Sequence, residues 1–303
     1  GNGQGWGLVR PYADAPKDIR DVEVEVEETD TRNFSIGAGI STDGGAFGNF
    51  SVTWNNFDIG KPPARIGDLF DQNAFRGNGQ RFTISAAPGT EFSRFQLAFD
   101  DPSLRDSRWG LGVDLSRGLA AFTTWTQTTD QVRVSVRRFL DMSRRWLLTV
   151  NGSMRQVLID DPRFDAPVDA LDDQGWTTIN GMGVALARSR RNEAYLFLDG
   201  HTTRVSADLY GGIFLGHVDL LKLYFEHSSG MRTFRHGRDQ WQRARTTFAV
   251  GWATPYGDSD RVPVFERYFL GGRNLRGFEF REVGPKSNGN SSGGTFVMRW
   301  STQ

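Results

Sequence analysis

From Asn33 onward the chain alternates, with Phe34, Ile36, Ala38 and Ile40 on one face and Ser35, Gly37, Gly39 and Ser41 on the other. A period of two sustained over several residues predicts a β-strand with unlike faces. The same design returns in Phe50, Val52 and Trp54 against Ser51, Thr53 and Asn55, then in Phe82, Ile84 and Ala86, and in Phe95, Leu97 and Phe99. Trp109, Leu111, Val113 and Leu115 alternate with Gly110, Gly112, Asp114 and Ser116, and Val132, Val134 and Val136 with Arg133, Ser135 and Arg137. Further strands are expected over 145–158, 176–188, 203–214, 217–228, 242–253 and 294–301, about twelve in all. An earlier run, VEVEVE at 22–27, sets valines against glutamates and reads as a half-buried strand with a water-facing side.

The class is therefore all-β, and the face that does not carry the large apolar residues decides the architecture. Arginine, serine and glycine there must meet water, either outside a soluble sandwich or inside a barrel with a wet lumen. Connection lengths favour the barrel. The turns TDGGA and PGT and the longer segments 118–128, 160–175 and 254–292 all fall at one end of the strands, and long loops on one rim fit a transmembrane antiparallel β-barrel. The segment 58–79, at the other end, is also long.

Composition sharpens this picture. Thirty-six glycines, twenty-three phenylalanines and nine tryptophans suit many short strands and tight turns. No run of about eighteen apolar residues exists, so no membrane-spanning helix is expected, whereas barrel strands average to the weakly polar hydropathy seen here. Net charge is zero and both signs are mixed, which gives no electrostatic case for nucleic acid. Cysteine is absent, which removes disulfides, thiolate metal sites and cysteine nucleophiles. His201, His217, His227 and His236 lack metal-ligand spacing and read as solvated or turn histidines, and no serine sits in a hydrolase motif, so neither an enzyme nor a cofactor is expected. The start, GNGQGWGLVRPY, lacks a basic stretch followed by an apolar one, so no signal peptide is expected there.

One stretch fits no strand or helix. YFLGGRNLRGFEFREVGP, residues 268–285, is broken by Gly271, Gly272 and Gly277, yet carries Tyr268, Phe269, Leu270, Leu275 and Phe278, a load unusual for a solvated loop. Here the chain resembles the BamA-like outer-membrane barrel-assembly family, whose sixth outer loop folds into the lumen with an Arg-Gly-Phe motif, matched by Arg276, Gly277 and Phe278 and followed by Gly284 and Pro285. VEVEVEETDTRNFSIGAGIST resembles that family's junction between the last POTRA domain and the first barrel strand. NNFDIG…FRGNGQRFTIS and FDDPSLRDSRWGLGVDLS resemble two of its strand turns. The resemblance implies the end of a POTRA domain over 1–32 and an incomplete barrel over 33–303, with about twelve of the family's sixteen strands.

It also implies two functional segments. Gly271, Gly272, Leu275, Arg276, Gly277, Phe278, Gly284 and Pro285 would form a lumen plug. In it Arg276 would bond to acceptors on the wall, with carboxylates supplied by strands beyond this sequence, and Phe278 would pack near the loop base. The plainer reading of Arg276 is a loop arginine in water. Phe34, Ser35, Ile36, Gly37, Ala38, Gly39 and Ile40 would form a lateral gate, its pairing weakened by Gly37 and Gly39; a barrel-corner role suits these glycines equally. The implied activity is insertion and folding of nascent β-barrel proteins in the bacterial outer membrane, with the N-terminal part in the periplasm. Accessory lipoproteins, membrane lipids and lipopolysaccharide are the implied partners, with no nucleic acid, metal or cofactor. A two-partner-secretion translocator and a passive porin are the alternatives.

Overall fold

The computed structural model describes residues 31–41, 45–63, 65, 74–191, 200–236, 240–272 and 274–303. The expected POTRA segment, 1–32, lies almost wholly outside them. Eleven strands follow in chain order: β1 (Arg32–Ser41), β2 (Gly45–Phe57), β3 (Gln80–Ala87), β4 (Phe92–Asp101), β5 (Trp109–Ala121), β6 (Thr126–Phe139), β7 (Trp146–Asp160), β8 (Gly175–Arg191), β9 (Gly200–Tyr210), β10 (Leu220–His236) and β11 (Gln240–Pro255). A short hairpin, β12 (Lys286–Ser287) and β13 (Asn290–Ser291), precedes β14 (Phe296–Thr302), which pairs with β11. Each long strand pairs antiparallel with its predecessor, giving one twelve-stranded meander with β1 and β14 at its ends.

Three expected boundaries move. The connection at 118–128 shrinks to 122–125, because Gly118 pairs with Thr129 and Ala121 with Thr126, so both strands run on to the turn. Small residues at 118, 120 and 121 blurred the alternation there. Strand β9 stops at Tyr210, where Gly211 turns to a φ of 82° and a 3-10 turn follows at Gly212–Phe214. Strand β10 starts only at Leu220 but continues to His236, well past the expected end. Within the connection 161–174 a single helical turn, α1 (Val168–Asp172), also forms.

Register fixes the faces. Val113 lies opposite Phe99 and Val134, while Asp114 lies opposite Ala98 and Arg133 and accepts a hydrogen bond from Gln96 Nε2. Every large side chain buried on β7, β8, β10 and β11 belongs to the same face as Asp114: Val157, Ile159, Ile179 and Leu220, with Ala249 and Ala253. Met154, Trp176, Met182, Val184, Leu223 and Trp252, on the opposite face, are exposed. The outer face is thus apolar and exposed, while the inner face combines charged and small residues with apolar clusters toward the end that carries the connection 256–295.

The connection 256–295 lies on the inner face, and the sheet curves around it. Phe280 packs edge-on to Phe92 at the start of β4, while Tyr268 packs beside Ala253 on β11. A flat sheet would separate those strands by roughly 34 Å at about 4.8 Å per strand. Two clusters fill the space around this segment. Trp125, Ile159, Ala166, Ala170 and Val264 receive Phe122 and Phe269, and Ile179, Val218, Leu220, Ala253 and Val262 receive Tyr210 and Tyr268.

Candidate functional site: an infolded loop and the first strand

The infolded segment 256–295 is the sixth connection at its end of the strands. Its two arms are joined by bridges between Tyr268 and Gly294 and between Leu270 and Val283. Beyond them a hairpin closes where Gly272 N–H donates to the Phe278 carbonyl at 2.9 Å. Gly271 permits this: its φ is 126°, and a Cβ there would stand 1.9 Å from the Glu279 carbonyl oxygen. On the wall, Gly251 has a matching role, since a Cβ would meet the Tyr268 ring at 2.7 Å.

Charged groups lock the base of the loop to the barrel. Glu266 is 3% exposed, takes a hydrogen bond from Lys222 Nζ on β10 at 3.0 Å, and is ion-paired with Arg155 on β7. Burial pushes its pKa up, but Arg155 and Lys222 outweigh that and hold it below the ordinary glutamate value. Arg267 forks onto Asp169 of α1 at 2.7 and 2.5 Å. Arg261 donates to Asp173 at 2.5 Å, and Asp173 also accepts the Val264 N–H at 2.6 Å. For Asp173 burial prevails over these partners and raises the pKa. Two-pronged contacts of this kind fix position as well as charge.

Arg281 sits among rings, with its guanidinium carbon 3.3 Å from the Phe269 centroid, 4.2 Å from Phe122 and 5.5 Å from Trp125. Its Nη1 is buried without a hydrogen-bond partner, and burial pulls its pKa down to about 9. Cation–π attraction is the contact that holds it.

The motif expected from sequence is placed differently in detail. Arg276 is exposed and, among the described residues, makes no hydrogen bond or ion pair; the carboxylates expected to meet it belong to strands outside this sequence. The hairpin tip is tied instead by Asn274, which accepts from Arg299 of β14 at 3.2 Å. Arg276 lines a space of about 290 Å³ with Arg245, Asn274 and Arg299, a cation-rich corner whose nearby carboxylate, Glu226, already faces Arg299 at 3.5 Å. Phe278 is half exposed; the phenylalanines packed against the clusters at the loop base are Phe265 and Phe269, while Phe280 packs on Phe92. Gly277 takes φ of 93° and Gly284 of 143°; Leu275 lines the same space as Arg276, and the Pro285 carbonyl accepts the Ser292 N–H at 2.9 Å.

Strand β1 is the second candidate. Phe34, Ile36 and Ile40 are 74%, 83% and 87% exposed, more than outward residues of interior strands such as Val134 at 42%. Its register runs from Arg32 opposite Trp54 to Ser41 opposite Gly45, with Ser35 facing Ser51 and Ala38 facing Gly48. Gly37 has open space above it, but Gly39 does not: the Phe47 ring lies on it, 2.8 Å from where a Cβ would be. Gly39 therefore gains a packing partner that the sequence does not reveal.

Sequence reasoning did not single out Arg155, Lys222, Asp169, Asp173, Glu266, Arg267 or Arg281. Charges are expected anywhere on the inner face, so nothing in the pattern marks those that meet across it. Nor did the histidines fall wholly in turns. The rings of His201 and His227 stack 6.1 Å apart on β9 and β10, whereas His217 lies in the turn and accepts the Thr178 N–H. The side chain of His236 lies outside the described residues. Among the described residues no group of three or more His, Asp or Glu could hold a metal ion.

A sheet of sequential strands, apolar outward, with an arginine-rich loop locked inside, can be compared with known proteins. The Omp85 superfamily domain matches residues 74–303. The chain belongs to the Omp85 superfamily. Among solved structures, BamA from Haemophilus ducreyi lacking POTRA domains 1–3 is similar over 97% of this chain, with a TM-score of 0.73 at 14% identity. CdiB from Acinetobacter baumannii is similar over 90%, with a TM-score of 0.51 at 13% identity. The chain spans 57% of the first and 48% of the second. No curated protein sequence matches it. The fold is that of a BamA-like outer-membrane β-barrel, and the apolar outer face of this Omp85 barrel is its lipid face.

Proposed function

We propose that this chain is the barrel part of an outer-membrane assembly factor that inserts and folds nascent β-barrel proteins. Membership of the Omp85 superfamily and likeness in fold to BamA support the reading, and in it β1, paired with β2 on one side, is the strand that a client meets. The bilayer core offers no water to an unpaired strand edge, so a client must pair its backbone as it enters. An edge at Phe34–Ile40 supplies that partner by strand addition and needs no cofactor or catalytic group. In this reading the infolded loop opens toward the outside, the N-terminal part lies in the periplasm, and accessory lipoproteins and lipopolysaccharide are neighbours.

Site-directed crosslinking tests it. In the full-length protein, cysteine at Ile36 or Ala38 should crosslink to the terminal strand of a stalled client, and cysteine at Val134 on β6 should not. Equal crosslinking at both places removes any special role for β1. Polypeptide export through the lumen is the second reading, favoured by the likeness in fold to CdiB. It requires the loop to leave the lumen during transport, and the locks around Glu266, Asp169 and Asp173 oppose that.

A further inference from the structure

At the end of the strands opposite the infolded loop, the lipid face changes character. Arg138 of β6 and Arg188 of β8 have the outward phase of Val134 and Val184, and each lies over a tryptophan of the neighbouring strand. The Arg138 guanidinium carbon is 4.9 Å from the Trp109 ring centroid, and that of Arg188 is 5.1 Å from Trp146. Between them the turn 140–145 carries Leu140 and Met142, both exposed, and Arg144 over Phe139 at 5.7 Å. The turn's carboxylate, Asp141, is used internally: it accepts the Arg145 and Trp146 N–H groups at 2.9 and 2.8 Å.

Among the described residues neither Arg138 nor Arg188 is paired with a carboxylate; each rests on its tryptophan instead. Arg137, one position along but facing inward, pairs with Asp100, and Arg117, outward near the loop-six end of β5, pairs with Asp130. An arginine facing lipid costs roughly 2–4 kcal/mol at the midplane but about 0–1 near an interface, so these two positions fit the interface. A guanidinium over an indole, with exposed apolar side chains beside it, matches the boundary between acyl chains and phosphates.

We propose that Trp109, Arg138, Trp146 and Arg188 form a docking surface for anionic glycerophospholipid phosphates of the leaflet next to the periplasm. The choice of leaflet rests on the orientation given under Proposed function. The indoles hold the two guanidinium planes against the wall, leaving their N–H groups to meet a phosphate two-pronged.

Native mass spectrometry of the full-length protein, released from nanodiscs of equal phosphatidylethanolamine and phosphatidylglycerol, tests this. Wild type should retain phosphatidylglycerol preferentially. Arg138→Gln and Arg188→Gln should each lower that preference about fivefold, the equivalent of about 1 kcal/mol per basic residue. Arg117→Gln, which removes a paired arginine on the same strands' outer face, should leave the preference unchanged and shows that the barrel still folds. Equal retention of both lipids by wild type, or an unchanged preference in the double Gln variant, overturns the docking surface whatever happens to client insertion. A preference for lipopolysaccharide lost in the same variant overturns the leaflet, and with it the orientation.

Discussion

Val113 and Asp114 show how far a single residue's place could be read in advance. Their alternation alone assigned Val113 outward and Asp114 inward, and the register places them so, with Val113 between Phe99 and Val134. Val113→Arg, at the middle of β5, should therefore destabilise the folded barrel by roughly 2–4 kcal/mol, read as a lower midpoint of urea unfolding in lipid vesicles. The same change at a rim position should cost far less, and equal costs at both would mean that Val113 does not face hydrocarbon. Outward and inward phases were legible because the bilayer imposes one rule on every strand. The fate of Arg276 was not, because a hydrogen bond depends on the partner across the lumen, and among the described residues no carboxylate reaches it.

At the scale of elements, strands were legible and their meeting points were not. Twelve long strands were counted from alternation, and twelve form the sheet. Errors gathered where glycine and alanine replace large residues, as at Gly118–Ala121, and where a turn hides within an apolar run, as at Gly211–Leu215. The locks of the infolded loop depend on contacts between segments more than forty residues apart, such as Lys222 with Glu266, for which local pattern has no signal. Glu266→Gln leaves Arg155 and Lys222 facing each other without an anion, and removing one member of a buried pair costs about 3–5 kcal/mol. Limited proteolysis should then cut within 256–295 faster than in wild type, with the strands still protected.

The pH dependence of that protection has a definite sign. Because the Glu266 pKa is depressed below its ordinary 4.5, the lock's contribution is fully present above that value and is lost only as pH falls further, through the folded-state pKa. Asp173 works the other way: its raised pKa means that protonation on the way down toward 3.8 favours the folded loop. Wild type should stay resistant from neutral pH to about 4.5 and open below it, while the Gln variant, starting open, should lack that acid transition. A wild-type loop that opens between pH 7 and 5 would exclude Glu266 as the group in control.

For the whole molecule, the sheet and the infolded loop form one arrangement. The loop binds the wall from the turns beside β4 and β6 round to β11 and β14, through Phe280, Arg281, Glu266, Tyr268 and Asn274 in turn. It therefore fills the inner face and braces strands far apart in the order. A passive porin needs the opposite, a lumen that stays conducting. Replacing residues 268–285 by a short glycine linker keeps Glu266, Arg261 and Arg267 at the base but removes the hairpin and Arg281. In planar bilayers the full-length wild type should be closed or nearly so, and the shortened protein should show large, long-lived conductance steps while its strands remain protected from protease. Should wild type already conduct at the level of the shortened protein, the loop is no plug, and the porin reading replaces assembly.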